Sequence, residues 1–326
     1  MRAAFLWASL LWVSMPGVLM PATAQALSLQ GEMVQGGLLQ GRLQPGQRVY
    51  LGERALQTDA QGRFVVALDR DAPATLSLRL ETPQADAGPN TEQPSEVFHY
   101  EIAPREYQIQ RIEGVARKYV APDPEQVARS RREARKVGAA RRAQRKQNDF
   151  FNGFIWPVTG PITGVFGSQR VYNGEPRRPH YGVDVARPTG TPVVAPASGL
   201  VTLAEPDLYF SGGTLIIDHG HGLSSTFLHL SKLLVEVGQQ VVQGEVVAEI
   251  GETGRVTGAH LDWRMNWTGG GRSVRFDPQL LVTPMDELIA AAAAAAAHNA
   301  KRDRAHADAH QHPGSRPAPA MGGGDN

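Results

Sequence analysis

Cysteine is absent from the chain, which excludes disulfide bonds, thiolate metal sites and a cysteine nucleophile. Charge excess is missing too. The 33 basic and 32 acidic residues leave a formal net charge of +1, so no general pull toward nucleic acid is expected. Beyond the N-terminus, no stretch stays apolar for the ~20 residues that a membrane-crossing helix needs. A His-Glu-x-x-His motif is also lacking, which argues against thermolysin-like zinc chemistry.

What is present begins with a secretory pattern. Arg2 supplies a positive start, Ala3 to Val13 an apolar run, and Ala22-Thr23-Ala24 or Ala24-Gln25-Ala26 a cleavage site. Pro16, Gly17 and Pro21 interrupt the run and argue against an uncleaved anchor. Residues 1–26 therefore read as a signal peptide. The mature protein is expected to be periplasmic or secreted, with no transmembrane anchor once the signal is cleaved.

The rest reads as mainly β. Residues 27–112 have short apolar runs such as Phe64-Val65-Val66-Ala67-Leu68, separated by turns at Pro45-Gly46 and Gly62, which predicts a small β-sandwich-like domain. The polar stretch Thr82 to Ser95 reads as an exposed loop. Residues 113–150 form a basic helical linker rich in Ala, Arg and Glu, including Arg129, Arg132, Arg135 and Arg141. A solvated connector is the favoured account of it; a contact with anionic envelope polymer is the sharper one. Residues 151–289, dense in Gly and Val with frequent turns, predict an all-β domain. The alanine run from Ala290 to Ala297 extends a short helix at most, and 290–326 reads as a disordered tail.

Chemistry concentrates in the second domain. In Pro179-His180-Tyr181-Gly182-Val183-Asp184, an extended backbone places His180 and Asp184 on one face, and imidazole with carboxylate makes a sound zinc pair. In Gly258-Ala259-His260-Leu261-Asp262-Trp263, His260 and Asp262 share a strand face; one can complete a three-ligand site while the other faces substrate. His229, in Phe227-Leu228-His229-Leu230-Ser231, read alone is a hydrogen-bonded strand histidine. His219-Gly220-His221 fits an H-x-H pattern, but its glycines put it in a turn, so it is set aside as a decoy. His99 has no ligand-type neighbour.

The order His-x3-Asp, then Phe-x-His-Leu-Ser, then Thr253-Gly254-Arg255-Val256-Thr257-Gly258-Ala259-His260-Leu261 resembles the lysostaphin/LytM-type zinc metallopeptidases. Phe166-Gly167 and the turn Gly190-Thr191-Pro192 extend the resemblance over roughly residues 156–283. It implies a duplicated-hybrid-motif peptidase domain that cuts peptidoglycan cross-bridges. Zn2+ would be held by His180, Asp184 and the second residue of the last motif, with His229 and His260 catalytic. That second residue is histidine in the family and Asp262 here. Two carboxylates and one imidazole would neutralise the ion, acidify water less, move the pH optimum upward and admit harder cations such as manganese. The alternative is a catalytically impaired relative that activates cell-wall amidases.

Overall fold

The computed structural model describes residues 27–83, 94–114, 124–143 and 145–311. The signal segment 1–26, most of the loop between Thr82 and Ser95, and residues 312–326 of the tail lie outside them.

The N-terminal domain is built from β1 (Leu29–Gln30), β2 (Leu38–Arg42), β3 (Arg48–Leu51), β4 (Arg54–Ala55), β5 (Arg63–Ala67), β6 (Thr75–Glu81) and β7 (Ser95–Glu101). They form a sheet ordered β1-β2-β5 and another ordered β4-β3-β6-β7. Alternation in β6 buries Leu76, Leu78 and Leu80 on one face, the period-2 pattern of a half-buried strand. The eighth strand, β8 (Ile109–Ile112), leaves this domain and pairs in parallel with β10 (Gln169–Tyr172), whose other neighbour is β11 (Glu175–Pro176). The strand that closes the expected first domain thus belongs to a sheet of the second.

Helix α1 (Pro124–Ala140) occupies the centre of the basic segment. It is not a free connector. Val137 and Ala140 pack on Leu203, Leu208 and Ile216, Lys136 pairs with Glu205 at 2.9 Å, and the main-chain N–H of Tyr209 donates to Glu133. The helix is thus docked along one side, while none of its residues is buried. The cause of the docking is a narrow apolar strip that the Arg-rich composition hid.

The second domain centres on one ten-stranded sheet. Its strands are β9 (Ile162–Gly164), β12 (Val183–Ala186), β13 (Pro192–Val194), β14 (Gly199–Leu208), β15 (Gly212–Gly220), β16 (Leu223–Leu233), β17 (Gln240–Val241), β18 (Val246–Ile250), β19 (His260–Gly269) and β20 (Arg272–Phe276). The main path runs β17-β14-β15-β16-β19-β12-β9, with β20 added to β19 and β18 bridging β13 and β16. Leu261, Trp263, Met265 and Trp267 turn one face of β19 into the core, where Trp156 meets Trp263 edge-on at 5.8 Å. The other face carries His260, Asp262, Arg264 and Asn266.

The C-terminal tail differs from expectation. Helix α2 runs from Met285 through Gln311, so the alanine run extends a helix and the helix continues beyond it into residues expected to be irregular. Alanine has the highest helix propensity, and Asp286 and Glu287 in the first turn oppose the positive end of the helix dipole.

Candidate metal and catalytic site

Asp184 on β12 stands directly opposite Asp262 on β19 in an antiparallel register. Two carboxylates in that relation repel one another unless a positive charge lies between them. Glycines make the room. A Cβ on Gly164 would sit 2.2 Å from Asp184 Oδ2, and one on Gly182 would sit 2.5 Å from Asp262 Oδ1.

His180 precedes β12 rather than lying on it; its N–H donates to the Ser168 carbonyl. The turn after it brings Nε2 within 3.1 Å of Asp184 Oδ1 and 3.5 Å of Asp262 Oδ2. His180 Nε2 and Asp184 Oδ1 are buried and make no hydrogen bond. Ligand atoms of His180, Asp184 and Asp262 all lie within 4.8 Å of one another. Burial opposes a charge on His180, but the two carboxylates prevail and raise its pKa to about 10. Opposed carboxylates, unbonded buried donor atoms and an imidazole between them form a set that a divalent cation fits. A ligating imidazole must be neutral, so the cation would displace that proton.

The three imidazoles of the site share one arrangement. Nδ1 of His180 lies 3.2 Å from the Val165 carbonyl, Nδ1 of His229 2.9 Å from that of Thr253, and Nδ1 of His260 2.8 Å from that of Gly258. A carbonyl only accepts, so each Nδ1 carries a proton, and in the neutral form of each ring Nε2 keeps its lone pair. The His229 and His260 rings lie 5.0 Å apart, and His260 Nε2 is 3.8 Å from Asp184 Oδ1. Burial lowers the pKa of His229 and favours its neutral form.

His229 owes its position to a change of strand partner. Up to Leu228, β16 pairs with β19; from Leu230 it pairs with β18. His229 sits at the hand-over with φ +67°, a conformation uncommon outside glycine. The sequence read it as a strand histidine; the structure places it on β16 but at an irregularity, which turns its ring toward the site.

Arg264 is the participant that sequence reading missed. Its Nε lies 2.9 Å from Asp262 Oδ1 and its Nη2 2.5 Å from Oδ2. Burial would push the Asp262 carboxyl up, but the Arg264 guanidinium and His180 hold it well below the usual carboxylate range. The signal was available, because Arg264 is two residues from Asp262 on a strand and shares its face.

The decoy pair lies elsewhere. His219 is buried on β15 between the Ser198 carbonyl and the Ser225 hydroxyl, each at 2.8 Å, and burial lowers its pKa to about 4. His221 packs edge-on against Phe150 and Phe151. His99, on β7, meets Ser77 at 2.8 Å.

Residues 178–276 match the model of peptidase family M23. The chain carries a peptidase M23 domain. Peptidoglycan DD-endopeptidase ShyA of Vibrio cholerae is 40% identical over 102 residues, which cover 28% of this chain and 24% of that protein. The lipoprotein NlpD/LppB homolog of Pseudomonas aeruginosa is 38% identical over 102 residues, 31% of this chain and 32% of its own length. The chain thus spans less than a third of either curated relative. A crystal structure assigned to peptidase M23 from Pseudomonas aeruginosa superposes with a TM-score of 0.57 at 29% identity, covering 77% of this chain and 95% of that one. The M23 domain and the mainly β architecture agree with the family expected from the motifs.

Proposed function

We propose that this M23 protein is a zinc metalloendopeptidase that hydrolyses peptide cross-bridges of bacterial peptidoglycan. The observation that carries the reading is the cross-strand pair Asp184 and Asp262 with His180 Nε2 between them. His180, Asp184 and Asp262 would hold the ion, which when bound polarises the scissile carbonyl and acidifies a water. The rest falls to the chain. His229 and His260, each with Nδ1 anchored to a carbonyl, present Nε2 as a proton acceptor for the attacking water. Once protonated, the same nitrogens donate to the tetrahedral oxyanion and to the leaving amine. Arg264 offsets one of the two carboxylates, so the centre keeps the net charge it would have with a single acidic ligand. The alkaline shift expected from Asp262 alone is thereby reduced. The substrate and the leader pattern of residues 1–26 together support a periplasmic or secreted location.

One observation favours a second reading. Arg264 engages both oxygens of Asp262 and competes for them with a metal. Should the ion pair prevail, the domain would be a non-hydrolytic activator of cell-wall amidases. Metal analysis and digestion of purified peptidoglycan separate the two. The hydrolase contains about one zinc per chain and releases cross-bridge products; His229→Ala and His260→Ala each lower the rate by about 10²–10⁴-fold while zinc is retained. A zinc-free, inactive wild type would sink the hydrolase reading.

A further inference from the structure

The polar face of β19 does not end at the metal-ligating cluster. Past Arg264 it reaches Asn266, which stands opposite Arg275 on β20 and opens on a cavity of about 450 Å³. Arg141, from the turn that follows α1, and Arg178, two residues before His180, line the same cavity with Tyr181. Arg275 lies over the Tyr181 ring, its guanidinium carbon 5.0 Å from the centroid, with Arg178 at 5.8 Å.

These cations, Arg141, Arg178 and Arg275, have no direct carboxylate partner among the described residues. Asp262 is occupied by Arg264, and the acids at the rim, Asp69 and Asp71, are turned to Arg272 and Arg70. Arg141 donates from Nη2 to the Thr226 hydroxyl at 3.2 Å, yet its Nε is buried with no partner. Burial and mutual repulsion with Arg178 and Arg264 lower Arg141 to about 9 and Arg275 to about 10. A buried N–H aimed into a group of guanidinium forks matches the geometry of a planar oxyanion.

We propose that Arg141, Arg178 and Arg275 form an oxyanion subsite that receives a free carboxylate of the peptide substrate. The assignment rests on the peptidase reading. It also fixes a distance. Asn266 lies four residues from Asp262, about 13 Å along the strand, so the carboxylate belongs about four residues from the scissile bond. The basic segment that precedes the M23 domain thus contributes a specificity residue, Arg141, as well as a connection.

The test is binding, kept separate from hydrolysis. Full-length protein in EDTA is titrated with N-acetyl-tetraalanine bearing either a C-terminal carboxylate or a C-terminal amide, and with inorganic phosphate. The acid is expected to bind at least about tenfold more tightly than the amide, and the preference is expected to vanish in Arg275→Gln. Arg178→Gln, at an exposed position, gives a second variant should Arg275→Gln fail to fold. Equal affinity for acid and amide, a preference that survives in both variants, or binding of phosphate without preference for the peptide acid would each overturn the subsite. A chain that keeps the preference but takes up no zinc retains the subsite and overturns only the hydrolase reading.

Discussion

Two groups of histidines lie in the M23 domain, and their surroundings separate them. His180, His229 and His260 each give Nδ1 to a main-chain carbonyl and keep Nε2 uncommitted near acidic partners. His219 spends both nitrogens inside the sheet, and His221 is held against two phenylalanine rings. The second group fits an H-x-H spelling but its glycines set it aside; the cross-strand pairing of Asp184 with Asp262 favours the first. A ligand set is thus defined by what lies across the sheet, more than by spacing along it.

The comparison breaks most sharply at the carboxylates. Asp184→Asn and Asp262→Ala should each reduce zinc content from about one per chain to none at micromolar metal, because two ligands cannot hold the open site. His219→Gln and His221→Gln should leave the content unchanged. Elemental analysis after dialysis decides it. Zinc lost from the His221 variant and kept in the Asp184 variant would exchange the two groups.

Arg264 sharpens the comparison at the next level. Arg264→Gln removes a cation beside the cluster and the competitor for Asp262. Zinc affinity should rise by about tenfold, while the metal-free chain loses about 3 kcal/mol of stability because Asp262 is left buried with His180 as its one remaining cationic partner among the described residues. The pH optimum of hydrolysis should move upward, since the offset to the second carboxylate is gone. Competition with a chromogenic chelator and urea unfolding in EDTA measure the first two effects. Unchanged affinity and unchanged stability together would remove Arg264 from the site.

Much of this was legible in the sequence. Turn spacing and alternation predicted two β regions, and the motifs singled out the five residues that the fold brings together. Asp262 stood out as the departure. What stayed hidden depends on contacts between distant segments. Alternation along β19 could have disclosed Arg264, but only the register with β12 reveals that Asp262 needs a counter-charge. The positive φ of His229 follows from a strand changing partners, which no local pattern encodes. The basic segment looked solvated because its apolar strip is narrow. Only the docked structure shows Val137 on the sheet and Arg141 in a cavity. The tail was read by composition, and its alanines and first-turn acids extend a helix through Gln311.

The smallest effect expected concerns the buried pair. His219 has its folded pKa lowered to about 4, against about 6.5 for an unperturbed histidine, because burial disfavours its charged form. A depressed folded value means that its contribution is fully present above pH 6.5 and is lost as pH falls toward 4, where the unfolded chain binds the proton first. His219→Gln cannot take up that proton. The stability of wild type relative to His219→Gln should therefore decline between pH 6.5 and 4 by at most about 3 kcal/mol, and stay flat above pH 7. Adjacent Asp218, whose carboxyl burial raises to about 6, titrates in both proteins and largely cancels in the difference. Paired urea titrations at pH 4.5, 6 and 8 read the slope. A difference that stays constant with pH would mean that His219 takes up its proton as readily in the sheet as in the unfolded chain, and the contrast with the candidate metal-site histidines would lose its electrostatic basis.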